Sequence, residues 1–481
     1  MDLKNEDNVT MPVLVVDLDG TLLRSDMLFE TFWAAFSRDW RSLFRAFFAL
    51  TQGRAALKSY LARIATINPT TLPYDPKVIA YIEAWRNKKG RVALVTASDH
   101  TMANLIAKHL GLFDEVYGSD EHNNLKGEVK AQFLCNHFSG AGFAYMGDTL
   151  ADLPVWKTSQ RAITLNVSST LKHQVDSLNV VSEHLTSVER TLVPYIQALR
   201  LHQWLKNVLI FLPMLVAHQI TTITFLQSIV AFVAFSLIAS HVYLLNDLLD
   251  LSVDRAHPRK RNRPFAAGSV PITQGTWMAL GLLFFGAVIT FTLDWLFAGV
   301  MLGYYLVTTA YSLFIKRRMV LDICVLAGLY TTRIVAGGVA TAIPLSEWLL
   351  IFSIFIFFAL AAVKRQAELV DNAQREKPYI QGRGYQCNDV SLISQMAISA
   401  GYVAVLIMAL YISSPAVTAL YTLPSALWGI CVVLLYWISR IVMITQRGGM
   451  HDDPLVFTAK DRVSQLCFLI IVALVCAGAW L

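Results

Sequence analysis

The chain has 481 residues, 55% hydrophobic and 15% charged, against roughly 25% charged in an ordinary soluble domain, which excludes a single water-soluble domain and a disordered chain alike. Residues 1–200 hold 21 Lys/Arg and 21 Asp/Glu, whereas residues 201–481 hold 19 and 13 and carry the whole net charge of +6. The first part reads as soluble and the second as a membrane domain. Six cysteines (Cys135, Cys324, Cys387, Cys431, Cys467 and Cys476) include no CxxC pair, so buried thiols in a reducing compartment are expected, not a disulfide framework or a zinc site.

The N-terminal segment MDLKNEDNVT is acidic and lacks the apolar core of a signal peptide, so the soluble part is expected to stay in the cytoplasm. Residues 12–16, PVLVV, predict a buried parallel strand that ends in Asp17-Leu18-Asp19-Gly20-Thr21-Leu22. A second strand, Val92–Val95, runs into Thr96-Ala97-Ser98, and a third, Gly142–Met146, runs into Gly147-Asp148, with Asp152 four residues on. Helical stretches separate them, so the expected fold is a doubly wound α/β domain with its site at the carboxyl ends of the strands. The insert from Arg24 to about Trp85 lies where the family resemblance set out next implies a small cap. Its residues 29–48 hold eight aromatics, Phe29, Phe32, Trp33, Phe36, Trp40, Phe44, Phe47 and Phe48, interleaved with Arg38, Arg41 and Arg45. Two readings stand side by side: an amphipathic cap that touches the membrane interface and accepts a lipid-linked substrate, or most of the rings packed inside a helical cap.

Asp-x-Asp-Gly-Thr, a strand-ending Thr, a Lys and Gly-Asp-x-x-x-Asp, in that order over residues 11–190, resemble the haloacid-dehalogenase (HAD) phosphatase superfamily. The resemblance implies Asp17 as nucleophile and Asp19 as general acid/base. It also implies Mg2+ on Asp17, Asp148 and Asp152, and phosphoryl oxygens held by Thr96 and by Lys130, with Lys126 competing for the lysine role. An Asp carboxylate can attack phosphorus and split one hard step into two. The alternative is a fold that only docks a partner, its carboxylates serving as loop caps.

Beyond a linker at 191–203, nine apolar stretches of helix length are expected, at about 205–219, 225–246, 276–293, 296–314, 320–342, 347–365, 391–413, 424–444 and 463–481. The first is short and interrupted by Pro213. Loops near 247–275, 315–319, 364–390 and 445–462 carry 16 Lys/Arg, and the opposite loops carry none. The basic excess therefore sits where it orients helices, and nucleic acid is not implied. By the positive-inside rule those loops face the cytoplasm, as the soluble domain does, and the C-terminus lies outside a cell inner membrane.

Two segments between helices hold unusual chemistry. Asn246, Asp247, Asp250 and Asp254 share one face if the helix continues through them, and like carboxylates in that density call for a cation such as Mg2+ bridging a diphosphate. The cations Arg255, Lys260, Arg261 and Arg263 follow directly. At the end of the sixth stretch, Lys364 and Arg365 precede Glu368 and Asp371. The pattern NDxxDxxxDR…KRxRPxAxG, over about 195–481, resembles the UbiA-type intramembrane prenyltransferase superfamily. That family's second motif usually carries a further pair of aspartates; here two cations stand there, and Tyr311 and Lys316 are five apart where many relatives have Tyr-x-x-x-Lys. HPxKRxRP, YSLFIK…LD, LYTTRIVAGGVA, VKRQAEL and the late Asp453-Pro454…Lys460-Asp461-Arg462 resemble its polyprenyl-phosphate phosphoribosyltransferase branch.

That resemblance implies transfer of 5-phosphoribose from phosphoribosyl diphosphate (PRPP) to a polyprenyl phosphate, with the phosphatase domain then removing the 5-phosphate. Asn246, Asp247, Asp250 and Asp254 would hold Mg2+ and the diphosphate, and Arg255, Lys260, Arg261 and Arg263 would neutralise the leaving group. Lys316, Arg333, Lys364 and Arg365 would place the remaining phosphates. Asp322 is left to bind a ribose hydroxyl or pair with a lysine. Arg333, inside an apolar helix, demands a partner, whether substrate or a buried ion pair that locks helices. Competing readings are a domain that hydrolyses released diphosphate, an aromatic-acid prenyltransferase with a fused phosphatase, and a non-catalytic scaffold or transporter. Chain length of the lipid and assembly with further copies stay open.

Overall fold

A computed structural model describes residues 11–120, 124–187, 191–374, 384–450 and 453–480. The N-terminal decapeptide, the end of the expected first domain at 188–190 and residues 375–383 of the basic 364–390 loop lie outside the described residues.

The soluble part is built on six parallel strands, β1 (Val13–Val16), β2 (Val92–Asp99), β3 (Glu115–Ser119), β4 (Phe143–Gly147), β5 (Arg161–Leu165) and β6 (Val181–Leu185). Their order is β3-β2-β1-β4-β5-β6. Alternate residues of β1 feed two cores: Leu14 and Val16 pack with Ile82, Leu94 and Ile106 on one face, Val13 and Val15 with Leu134, Phe143 and Trp156 on the other. Both faces of the sheet are covered, as parallel sheets require. Strand β2 runs four residues beyond the expected Val95, so Thr96 and Ser98 lie in the strand itself.

The cap follows β1. Helix α1 (Met27–Arg38) is capped by Asp26, whose side chain accepts from the Leu28 and Phe29 amides. Helices α2 (Ser42–Thr51) and α3 (Arg54–Ile64) follow, and α4 (Pro76–Asn87) returns the chain to β2. A small core of Ala35, Ala46 and Leu61 joins α1, α2 and α3. The aromatic run divides between packed and exposed positions on different helices. Trp33 on α1 is buried, while Phe44, Phe47 and Phe48 on α2 are 64%, 70% and 67% exposed. The remaining soluble helices are α5 (His100–Leu110), α6 (Glu128–His137), α7 (Leu153–Thr158), α8 (Ser169–Asp176) and α9 (Val193–Leu199).

In the second part, eight helices among the described residues are long and apolar enough to cross a membrane. They are α11 (Thr222–Leu249), α13 (Ile272–Thr290), α14 (Trp295–Leu313), α15 (Leu321–Thr341), α16 (Glu347–Gln374), α17 (Val390–Ile412), α19 (Trp428–Gln446) and α21 (Arg462–Trp480). Short α10 (Leu212–Val216) precedes them, and α12 (Leu251–Ala256), α18 (Pro415–Leu420) and α20 (Pro454–Lys460) lie between them. The expected first stretch is a correction to nine regular helices: Leu201–Phe211 is an eleven-residue 3-10 helix that passes into the five residues of α10, with Pro213 in its first turn. A 3-10 helix rises about 2 Å per residue against about 1.5 Å for an α-helix, so this segment reaches further per residue than a regular helix, yet it is too short to count among the eight spans.

Packing divides the chain into two compact units: the residues up to Leu199 together with Tyr243–Ala279, and Arg200–Val242 together with Leu280–Leu481. The end of α11, α12 and the start of α13 thus pack as part of the N-terminal unit.

Candidate functional site

In the N-terminal unit, β1 delivers Asp17 and β4 leads to Asp148 and Asp152. One oxygen of each of these three carboxylates lies within 4.8 Å of the others. Gly20, at φ +73°, makes the approach possible, because a Cβ there would run into the Asp148 carboxylate. Lys130, 2% exposed, reaches Asp17 Oδ1 at 3.0 Å and donates to the Tyr145 hydroxyl at 2.9 Å. Tyr145 in turn donates to Asp152 Oδ1 at 2.7 Å. The other Asp152 oxygen accepts from the Thr149 amide and hydroxyl at 3.1 and 2.9 Å. Lys126 is exposed; the lysine that meets Asp17 is Lys130.

Asp19 is fixed from two sides. Its Oδ1 accepts from the Met27 amide at 2.7 Å and its Oδ2 from the Ser98 hydroxyl at 2.5 Å. Thr96 is fully buried, and its hydroxyl oxygen accepts from the Ser98 amide at 3.0 Å. Burial, with repulsion from Asp26, raises the Asp19 carboxyl to about 7 against its hydrogen bonds. Burial also raises Asp17, opposed by Lys130 and reinforced by Asp152. It raises Asp148 well above the carboxylate range, with Asp17 and Asp152 adding repulsion. Three acids, Asp152 buried and Asp17 and Asp148 partly so, with one lysine among them leave an excess of negative charge that a small divalent cation matches; hard oxygen donors of this number suit Mg2+. The donor set fits the ion. Reading the sequence missed Ser98 as the Asp19 partner, although it lay in the strand-end motif. It also missed Lys58 of α3, which donates to the Ala97 carbonyl at 2.6 Å and interacts electrostatically with Asp19 and Asp26.

The acidic segment after α11 does not run on as one helix. The helix stops at Leu249, Asp250 takes φ −97° and ψ 13°, and α12 starts at Leu251. The expected face of Asn246, Asp247, Asp250 and Asp254 contains this break, although the Asp250 amide still donates to the Asn246 carbonyl at 2.9 Å and the Asp254 amide to the Asp250 carbonyl at 2.8 Å. Arg263 instead joins Asp247 (3.0 Å) to Asp254 (2.6 Å), and Lys260 stands 4.0 Å from Asp254. Both aspartates are almost fully buried, while Asn246 and Asp250 are half-buried. The Arg263 guanidinium stands between the two carboxylates. As arranged, this set does not fit a bound metal, and among the described residues it forms no metal-sized group of carboxylates.

Arg255, expected to face a leaving group, is committed elsewhere. It donates twice to the Glu30 carboxylate of α1, at 2.6 and 3.0 Å, and once to the Ala266 carbonyl at 3.2 Å. Glu30 also accepts from the Ser25 hydroxyl at 2.6 Å. Gly268, at φ +67°, packs so closely that a Cβ would meet Arg24 and Pro73. Of the remaining cations, Lys260 and Arg261 are exposed.

The second unit holds a separate charged cluster. Asp453 accepts from Lys206 at 2.8 Å and Lys364 at 2.9 Å, with the Tyr330 hydroxyl at 3.4 Å. Burial would raise the Asp453 carboxyl, but the two lysines hold it well below the ordinary carboxylate range. Lys206 went unnoticed in the sequence because 247 residues separate it from Asp453. Arg333 donates to Asn207 at 2.9 Å and lies 5.1, 5.6 and 5.3 Å from the ring centroids of Phe235, Tyr304 and Tyr330. Cation–π contact supplies the partner that its burial demands. Arg365 is a correction: fully buried, it pairs with Asp322 at 2.7 Å and with Glu368, so its charge is spent inside the protein. Asp322 accordingly pairs with an arginine, and it accepts from Tyr385 at 2.6 Å. Lys316 is half-buried in the 3-10 turn Ile315–Arg317. All six cysteines are free.

Comparison with known proteins divides the chain by sequence near residue 200, with Tyr243–Ala279 falling in the C-terminal match. Residues 207–459 match the UbiA prenyltransferase family. The chain belongs to that family. Residues 14–157 match the haloacid dehalogenase-like hydrolases, so this UbiA-family membrane protein carries a HAD-like domain at its N-terminus. It is 36% identical over 459 residues to an uncharacterized protein, y4nM, of Sinorhizobium fredii, covering 94% of this chain and 88% of that one. It is also 35% identical over 289 residues to the decaprenyl-phosphate phosphoribosyltransferase of Mycolicibacterium smegmatis, covering 57% of this chain and 88% of that one. A solved UbiA homolog from Archaeoglobus fulgidus bound to DMAPP and Mg2+ superimposes with a TM-score of 0.46 at 14% identity, over 59% of this chain and 99% of that one.

Proposed function

We propose that this protein is a two-step enzyme: its membrane part (about 204–481) transfers 5-phosphoribose from PRPP to a polyprenyl phosphate, and its N-terminal domain (to about 190) removes the 5-phosphate. The observation that carries the transfer reading is the Lys206–Asp453–Lys364 cluster, in which two cations share one acid where UbiA relatives usually carry a second acidic motif. PRPP and a polyprenyl phosphate together bring a diphosphate and two further phosphates, which call for more cations and fewer acids. Likeness to a phosphoribosyltransferase across most of its length supports the same substrates.

In the transfer, an oxygen of the acceptor phosphate attacks C1 of the ribose while the C1–O bond to the diphosphate breaks. Lys260, Arg261 and Arg263 receive the departing charge, with Asp247, Asp250 and Asp254 setting their positions, and Lys364 and Lys316 serve the remaining phosphates. Electrostatic stabilisation and in-line positioning are the main catalytic terms.

In the second step the Asp17 carboxylate attacks phosphorus. The ribose 5-oxygen leaves with a proton from Asp19, and Asp19 then takes a proton from the water that hydrolyses the aspartyl-phosphate. Lys130 holds Asp17 in position and offsets charge on the phosphoryl group. Asp17, Asp148 and Asp152 would hold Mg2+, which supplies charge neutralisation on the phosphoryl oxygens when bound. Both activities would face the cytoplasm at a cell inner membrane, a reading supported by the arginine- and lysine-rich loops through the positive-inside rule.

The test uses purified protein with Mg2+, a polyprenyl phosphate and PRPP labelled in the ribose. Wild type should give lipid-linked ribose, Asp17→Asn lipid-linked phosphoribose, and Asp250→Asn no lipid label. Absence of lipid label from wild type, with prenylation of an aromatic acid from a prenyl diphosphate, would overturn the substrate reading.

A further inference from the structure

Helix α2 of the cap is built inside out. Its small residues Ser42, Ala46 and Ala49 face inward, and its large ones, with Trp40 just before them, face outward: Leu43, Phe44, Phe47, Phe48 and Leu50 are all exposed. A soluble cap would bury such rings, since a contiguous apolar patch on a surface marks a partner or a membrane. The exposed charges among them are Arg41 and Arg45, and residues 42–51 contain no Asp or Glu. Aromatic bulk with arginine and without acid is the composition of a helix lying in the headgroup region of an anionic bilayer.

The rest of the N-terminal unit says which surface is at hand. Trp33 of α1 donates its indole N–H to the Thr276 hydroxyl at 3.1 Å, and Thr276 lies in the second turn of the apolar helix α13. Its neighbour Trp277 is 69% exposed, the position of an interfacial belt residue. The doubly bonded Glu30–Arg255 pair ties the same cap helix to the segment that leaves α11. The cap is thus fastened, inside one compact unit, to the ends of two helices long enough to span a membrane.

We propose that α2 lies in the interface of the anionic bilayer and presents lipid-linked substrate to the phosphatase site. The second half of this inference rests on the phosphatase reading; the first does not. A full-length protein with its six cysteines replaced would carry a nitroxide at Phe47→Cys, in nanodiscs containing phosphatidylglycerol. The oxygen-to-nickel-chelate collision ratio should be several-fold higher there than at an exposed control, Lys108→Cys on α5. An equal ratio would overturn the proposal, and so would a label shielded from both probes, the mark of a second copy or another protein on this face. In parallel, Phe44→Ser/Phe47→Ser/Phe48→Ser should raise KM for a vesicle-borne polyprenyl-phosphoryl phosphoribose several-fold and leave hydrolysis of a soluble phosphate monoester unchanged. An unchanged lipid KM, or equal loss on both substrates, would overturn substrate presentation. If wild type hydrolyses neither substrate, the phosphatase reading falls while the nitroxide result still decides the location of α2.

Discussion

The N-terminal unit gathers carboxylates twice and balances them in opposite ways. Asp17, Asp148 and Asp152 stand within reach of one another with a single lysine for company. Asp247 and Asp254 stand on either side of Arg263. The first arrangement is short of positive charge, and burial raises Asp17 and Asp148 within it; the second carries its cation in its own sequence. Three aspartates in each motif, counting Asp250 in the second, therefore do not mean equal metal sites. What separates them is whether an arginine is close enough in the fold to take the central place.

The largest test of that contrast is chemical. Asp17→Asn should lower phosphate-monoester hydrolysis at least about a thousandfold, the scale for losing a nucleophile, while formation of lipid-linked phosphoribose continues. Loss of both activities would show that the two acid groups are not independent. Next is Glu30→Gln, which leaves the buried Arg255 without its counter-charge. The expected loss is about 3–5 kcal/mol of stability, read as a fall in the thermal midpoint, with most of it recovered in Glu30→Gln/Arg255→Met. Magnesium titration sharpens the comparison further. At a hundred times its dissociation constant the ion should stabilise the wild-type chain by about 2.7 kcal/mol, and Asp148→Asn should abolish the shift. A shift that survives Asp148→Asn would show that the Arg263-bridged acids take metal after all.

The smallest effect concerns a third acid, Asp453, outside both groups. Its carboxyl is depressed by Lys364 and Lys206 against burial, so its contribution to stability is present at neutral pH. That contribution is lost only as pH falls below the unfolded value of about 4 toward the folded one. Asp453→Asn should therefore be less stable than wild type at pH 7, with the difference closing in acid.

The sequence displayed whatever was local. The β-branched strand, the glycine turn and the spaced aspartates of the HAD-like domain each lie within a few residues, and the apolar stretches that became α11 to α21 are continuous. It hid what depends on distant partners. No spacing links Lys206 to Asp453, or Glu30 to Arg255. Arg365 looked available for phosphate because Asp322 is 43 residues away in the chain, and only folding joins them. The break at Asp250 escaped because helical spacing continues through it on paper, while Arg263 rewards a bend that brings Asp247 and Asp254 to one guanidinium. The opening stretch of the membrane part was counted as one more regular helix, since composition does not distinguish a 3-10 rise from an α rise.

The pairing of Glu30 with Arg255 has a practical meaning for anyone dividing this protein. Scissors applied near residue 200 separate the two sequence families but not the two packed bodies, since Tyr243–Ala279 goes with the wrong piece. The released N-terminal fragment would carry a buried glutamate with its arginine gone and a raw patch around Trp33. A fragment that keeps its shape needs that loop sewn back on, and a hybrid with another phosphatase domain needs a cap that offers Arg255 the same carboxylate.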